Sequence, residues 1–220
     1  MFSGMLVADT MGELIGRLFR LPANGKPISI IDVSGVPSDI TSTVVAVLSR
    51  MTFDFAIWSR NEPQRPILLV CEEAHRYIPR DDTGSSVGRI LGRIAKEGRK
   101  YGVSLGLITQ RPSDLAEGVL SQCGTIVAMR LNNERDQAFV RAAMPEGARG
   151  FLDSIPALRN RECIICGEGV AVPIRVSFDG LEEARRPASS DPVFSELWRG
   201  MGGEEGIIQR TVQKWRAQGK

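Results

Sequence analysis

The sequence predicts an α/β fold, a mostly parallel sheet with an antiparallel hairpin at its edge. Three observations carry that prediction. Short apolar runs alternate with amphipathic segments, which is how strands and crossover helices read in sequence. The first three runs, 28–33, 67–71 and 103–108, are nearly continuous in apolar residues, as strands covered on both faces are. The last two, 162–167 and 170–178, are separated only by Glu168 and Gly169, which leaves room for a hairpin and none for a crossover.

Residues 1–27 carry no pattern that assigns them, so Ile28 to Val33 is the first expected strand. Ser38 or Asp39 then caps a helix whose apolar residues, Ile40, Val44, Val47, Leu48, Met51, Phe55 and Trp58, recur at helical spacing and predict one buried stripe. The polar linker Ser59 to Pro66 leads into the strand Ile67 to Cys71. From Ser85 to Tyr101 a second helix turns Val87, Ile90, Leu91 and Ile94 inward and carries Arg89, Arg93, Lys96 and Lys100 on its other side. The strands Val103 to Ile108 and Thr125 to Leu131 follow, and then the hairpin. Past Phe178 the polar stretch EEARRPASSDP separates the sheet region, 1–180, from a C-terminal helical segment, 181–220. Its last helix has Glu204 and Glu205 at the start and Lys214 and Arg216 at the end, charges that suit the helix dipole.

At 220 residues with 42% hydrophobic content, the chain is long enough to bury about 70% of its unfolded surface, and wholesale disorder is excluded. Lys plus Arg is 28 and Asp plus Glu 26, so a net charge of +2 gives no global pull toward nucleic acid or membrane. Any basic site is local. The one marked concentration runs from Arg76 to Lys100, with seven basic residues against three acidic. No apolar run approaches the ~20 residues of a membrane helix and the first residues lack the layout of a secretory leader, so the sequence reads as cytoplasmic with no membrane partner. Four cysteines in this length make no disulfide scaffold. Cys163 and Cys166 fall three apart on an expected strand, hence on opposite faces, and read with Cys71 and Cys123 as buried thiols. A single histidine, His75, argues against a His-based metal site.

Three segments carry chemistry. In ILLVCEEAH an apolar strand ends in two carboxylates, Glu72 and Glu73, at the carboxyl end of a strand, where open parallel sheets bind ligands. One such carboxylate can help hold Mg²⁺ while its neighbour orients or deprotonates an attacking water, and the same pair also fits a solvated acidic turn. In VSLGLITQRP the strand ends in Thr109 and Gln110, and a Gln there can hydrogen-bond a γ-phosphate or the attacking water. In AKEGRKYG, Gly98 loosens the basic helix and Arg99 with Lys100 leads into the Gln110 strand. A guanidinium there suits a phosphoryl transition state, often in a neighbouring subunit, and equally suits a helix C-terminus.

In this order, EEAH strand, KEGRKYGV, TQRP strand, then LSQCGTIVAMRLNNERD, the segments resemble the HerA/FtsK superfamily of hexameric DNA-translocating ATPases, and within it the HerA-like bacterial helicases. The resemblance covers about residues 28–178. It implies a RecA-like P-loop fold using ATP and Mg²⁺, with Glu72 as the Walker B metal-side carboxylate, Glu73 as the catalytic carboxylate, Gln110 as the sensor and Arg99 as the arginine finger. It also implies a homo-oligomeric ring, DNA as partner with Arg80, Arg89 and Arg93 as candidate contacts, an orienting role for His75, and a NurA-like nuclease as a further partner.

One departure is large. A P-loop needs G-x-x-x-x-G-K-[ST], whose amides and Lys hold the phosphates, and no segment here supplies it. Gly25-Lys26 has Arg20 where the first Gly should stand and is followed by Pro27. The chain therefore reads as the portion after the Walker A motif, with the first P-loop unit absent and little ATP binding or hydrolysis of its own. The rival reading is a non-catalytic assembly module that keeps the fold.

Overall fold

The computed structural model describes residues 10–60, 62, 65–81, 84–144, 146–186, 195, 198–199 and 206–217. They form two compact units, Met1–Phe178 and Asp179–Lys220. The first is α/β. It opens with helix α1, Thr10–Phe19, whose Phe19 ring stacks on Phe55 at a centroid distance of 4.5 Å. Helix α2 runs Ser38–Trp58, strand β1 Ile67–Cys71, helix α3 Ser86–Glu97 and strand β2 Val103–Leu107. A short helix α4, Glu117–Leu120, precedes strand β3, Thr125–Ala128, and helix α5, Glu134–Ala143. Helix α6, Arg149–Leu152, and strands β4, Glu162–Gly167, and β5, Ile174–Ser177, complete it.

The strands form two sheets rather than one. β1 and β2 are parallel, pairing Ile67 with Val103 through Cys71 with Leu107, while β3, β4 and β5 form an antiparallel sheet in that order. β2 borders no strand but β1, and β3 none but β4, among the described residues. One core cluster joins β1, β2, α2, α3 and α4 around Phe53, Ile78, Leu91 and Ile94. A second packs α5 and the following turns on β3 and β4. Of the β1 side chains, Leu69 and Cys71 face the first core, whereas Leu68 and Val70 are 64% and 48% exposed. One face of the parallel pair is bare.

Further expectations need correction. Residues 28–33 form no strand, and Ile28 and Ile30 are 72% and 90% exposed. A cavity of ≈ 530 Å³ separates Pro27, Ser29 and Ile31 from Ile67, Leu68 and Leu69. An edge strand gains most from a covered sheet face, and the face carrying Leu68 and Val70 is uncovered. Helix α2 buries a different stripe from the one its large residues predict. Ala46, Ser49, Thr52, Phe53 and Ala56 are buried, while Ile40, Val47 and Trp58 are 53%, 40% and 87% exposed. The inward face joins one large residue, Phe53, to small ones, so a stripe drawn through the other large residues misses it. The capping position of α2 is Pro37, one residue before the expected Ser38 or Asp39, whose side chains lie outside the described residues. The segment Ile40–Trp58 is also long and apolar enough, by length and composition, to cross a membrane, against the reading that no run approaches that length. Phe53 within it is nonetheless fully buried in the first core.

The hairpin has a longer loop than expected, 168–173, because pairing stops at Ile165 with Ile174 and the next position on the second strand is Pro173, which has no N–H to donate. α3 follows its prediction: Val87, Ile90, Leu91 and Ile94 are buried, Ser85 caps it by accepting from the Gly88 N–H at 2.9 Å, and Gly98–Tyr101 continues as a 3₁₀ turn. In the second unit, helix α7 spans Ile207–Ala217 with Lys214 and Arg216 in its last turn, and Glu204 and Glu205 lie outside the described residues.

Candidate functional site

Because β1 and β2 are parallel and in register, Cys71 beside Leu107, the segments that follow them leave the sheet together. The ladder runs past both strands: Ile108 N–H donates to the Cys71 carbonyl and Ala74 N–H to the Ile108 carbonyl, both at 2.9 Å. To make the second bond the chain reverses at Glu73, which sits at φ 49°, ψ 44°. That left-handed conformation costs a non-glycine residue roughly 1–2 kcal/mol. Its effect is to turn the Glu73 carboxylate toward the end of β2.

There Gln110 Nε2 donates to Glu73 Oε1 at 3.0 Å. Ala74, fully buried, begins the 3₁₀ turn Ala74–Arg76, which sets His75 Nδ1 3.0 Å from Thr109 Oγ1 and 3.4 Å from Glu73 Oε2. The Arg111 N–H donates to the same Thr109 hydroxyl at 3.0 Å. Glu72 is exposed and makes no hydrogen bond or ion pair among the described residues. Beneath the pair, burial pushes the Cys71 thiol up to about 11, so it stays protonated and inert at neutral pH.

The two segments stay joined beyond the site. Arg80 N–H reaches the Asp114 carbonyl at 2.8 Å, Ala116 N–H the Ile78 carbonyl at 3.1 Å, and Pro79 bridges to Leu115. Asp136 on α5, itself buried, accepts the Ser113 N–H at 3.0 Å and fixes the turn after Gln110 from the side. Sequence reading missed Thr109, Arg111 and Asp136 as parts of this constellation. The signal for Asp136 was its place in the first turn of a helix capped by Asn133, whose side chain accepts the Arg135 N–H at 2.9 Å.

Of the expected site residues, the structure brings Glu73, Gln110 and His75 together and places Glu72 next to them. Arg99 stands apart. It lies in the turn before β2, at the opposite end of the strand from Gln110, roughly 16 Å away by the rise of five strand residues. The basic residues divide as well. All three are exposed, but Arg93 lies over the fully buried Phe53 ring at 5.0 Å and pairs with Glu97 at 3.3 Å, and Arg80 lies 5.7 Å over the Phe139 ring. All four cysteines are free thiols, with Cys163 and Cys166 both fully buried in β4.

No family model matches the sequence. Curated proteins do. The DNA double-strand break repair helicase HerA of Pyrococcus furiosus is 38% identical over 146 residues, 66% of this chain and 25% of that protein. The protein of the same name from Sulfolobus acidocaldarius is 30% identical over 218 residues, 96% of this chain and 41% of that protein. Among solved structures, the genome packaging NTPase of Sulfolobus turreted icosahedral virus 2, in complex with AMPPCP, aligns with 64% of this chain and 63% of its own at 15% identity and a TM-score of 0.49. The chain thus spans between a quarter and two fifths of the length of these two curated relatives. Over that portion, the chain is similar in sequence to the HerA helicases.

Proposed function

We propose that the chain is the later portion of an ATP-driven DNA translocase or helicase of HerA type, with a RecA-like P-loop fold completed by a phosphate-binding loop elsewhere in the same polypeptide. The observation that carries the reading is the meeting of Glu73 and Gln110 at the ends of adjacent parallel strands, in a chain 38% identical over 146 residues to a HerA helicase. The free edges of β2 and β3 and the bare face over Leu68 and Val70 support it, since they are the surfaces a further strand and helix would cover.

The residues present suit one part of such a site and not another. An unpartnered, exposed carboxylate such as Glu72 is the hard oxygen donor Mg²⁺ takes, and bound there the ion would neutralise phosphate charge. The cradle of backbone amides for a triphosphate is absent from this sequence, so in this reading the chain by itself hydrolyses ATP negligibly. Glu73 accepts a proton from water through Oε1, which keeps a lone pair beside the Gln110 bond. Gln110 is exposed and free to turn toward a phosphate. Arg99, at the far end of β2, acts in this reading on the site of a neighbouring subunit, which calls for a closed ring, a hexamer in the resembling superfamily. DNA is the track, a NurA-like nuclease a companion and the cytoplasm the compartment.

The test is ATP turnover by the full-length protein. Glu73→Gln is expected to lose about 10² to 10⁴ in kcat while still binding nucleotide. Unaltered turnover would overturn the assignment. The missing phosphate-binding loop favours a second reading, an assembly module that keeps the fold without chemistry. Under that reading subunits associate equally well with or without Glu73.

A further inference from the structure

Glu73 has a neighbour at each carboxylate oxygen. Oε1 takes the amide of Gln110, an exposed side chain, and Oε2 faces the ring of His75, whose side chain is only 20% exposed. The His75 backbone is fixed because its neighbour Ala74 is fully buried and bonded to Ile108. Its partner Thr109 is fixed too, since the Thr109 hydroxyl already accepts the Arg111 N–H. A carboxylate only accepts hydrogen bonds, so a bond from His75 to Glu73 Oε2, 3.4 Å away, needs the proton on Nδ1, whereas the Thr109 contact at 3.0 Å fits either tautomer.

We propose that His75, locked by Thr109, is the positioning residue for Glu73, its Nδ1–H holding Oε2 while Oε1 is left to Gln110 and water. The proposal rests on Glu73 being the base. Glu73 is 39% exposed and sits on a left-handed turn, so without the imidazole its carboxylate is free to swing into solvent. With it, one oxygen stays in place while the other serves Gln110 and water. The pair Thr109 and His75 thereby ties the sensor strand to the base across 34 residues of sequence.

His75 is the one histidine of the chain, so its ring nitrogens are read without ambiguity by ¹⁵N–¹H correlation on the whole 220-residue chain at alkaline pH, where an imidazole is neutral. A ring without partners favours the Nε2–H form. The expected result is a dominant Nδ1–H tautomer that shifts toward Nε2–H in Glu73→Gln and in Thr109→Val. In the full-length protein, His75→Ala is expected to lower kcat on the order of tenfold to hundredfold with KM for ATP unchanged, and His75→Asn, whose amide nitrogen stands near the Nδ1 position, to restore most of it. An Nε2–H tautomer indifferent to both substitutions overturns the contact. Turnover lost in Glu73→Gln but unchanged in His75→Ala overturns the positioning role alone. Turnover surviving in Glu73→Gln overturns the hydrolysis reading and takes this role with it.

Discussion

Gln110 Nε2 donates to Glu73 Oε1 at 3.0 Å, joining the ends of two parallel strands between residues 37 apart in the chain. The bond takes one lone pair of that oxygen and leaves the other for water. Gln110→Ala in the full-length protein is expected to leave nucleotide affinity within about twofold and to lower stimulated turnover by about 10² or more, since the positioned amide is lost from the reacting state. Steady-state ATPase assays against nucleotide titrations check this, and an unchanged kcat would remove Gln110 from the site.

Arg89 and Arg93 differ although they lie one helical turn apart. Both are exposed, but Arg93 lies over Phe53 and pairs with Glu97. Arg93→Ala is expected to destabilise the chain by about 1 kcal/mol through lost packing on the ring, and Arg89→Ala by less than about 0.5 kcal/mol. Urea unfolding separates them. If Arg89 meets a DNA phosphate in the assembly, its removal lowers the slope of log affinity against log salt by about one.

Gly98 has no room for a side chain. A Cβ there would meet the Val103 carbonyl oxygen at 2.4 Å, a backbone atom that cannot turn away. Gly98→Ala is expected to cost about 1–3 kcal/mol by forcing α3 off the start of β2. It should also displace Arg99, so that a full-length variant loses stimulated turnover more than its stability alone explains. A denaturant midpoint equal to wild type would contradict the packing argument.

Glu162 accepts the Arg159 N–H at 2.6 Å and Arg175 Nη2 at 2.7 Å. The backbone bond first, and then Arg175, hold its carboxyl below the ordinary value. A group whose folded pKa is depressed contributes stability above its unfolded value and loses it as pH falls through the folded one. Glu162→Gln is therefore expected to flatten the acid side of the stability profile, lowering the melting temperature near neutrality and converging on wild type in strong acid. Parallel curves across that range would show that Glu162 contributes no pH dependence.

Legibility followed what each feature depends on. The strand 67–71 was readable to the residue because it is a continuous apolar run bounded by Pro66 and Glu72, and its partner, expected at 103–108, spans 103–107. Strand 28–33 reads equally well and does not form, since its pairing depends on what covers a neighbouring sheet face, which is no property of the segment itself. The buried face of α2 was misread because, apart from Phe53, it is made of the small residues Ala46, Ser49, Thr52 and Ala56. In the site, parallel strands imply that Glu73 and Gln110 emerge together. The tie between His75 and Thr109 was not visible, because it is produced by a single left-handed residue, and a Glu at φ 49° leaves no mark in sequence.

The unpaired rims of β2 and β3 bear on how the protein is handled. Each presents a row of backbone donors and acceptors to any strand that comes near, and the parallel pair adds an apolar surface at Leu68 and Val70. Expressed alone, such a polypeptide can add copies edge to edge, giving particles whose mass grows with concentration and has no fixed stoichiometry. A large species on a sizing column would then say nothing about a ring. A discrete mass, unchanged on dilution, is the one that would.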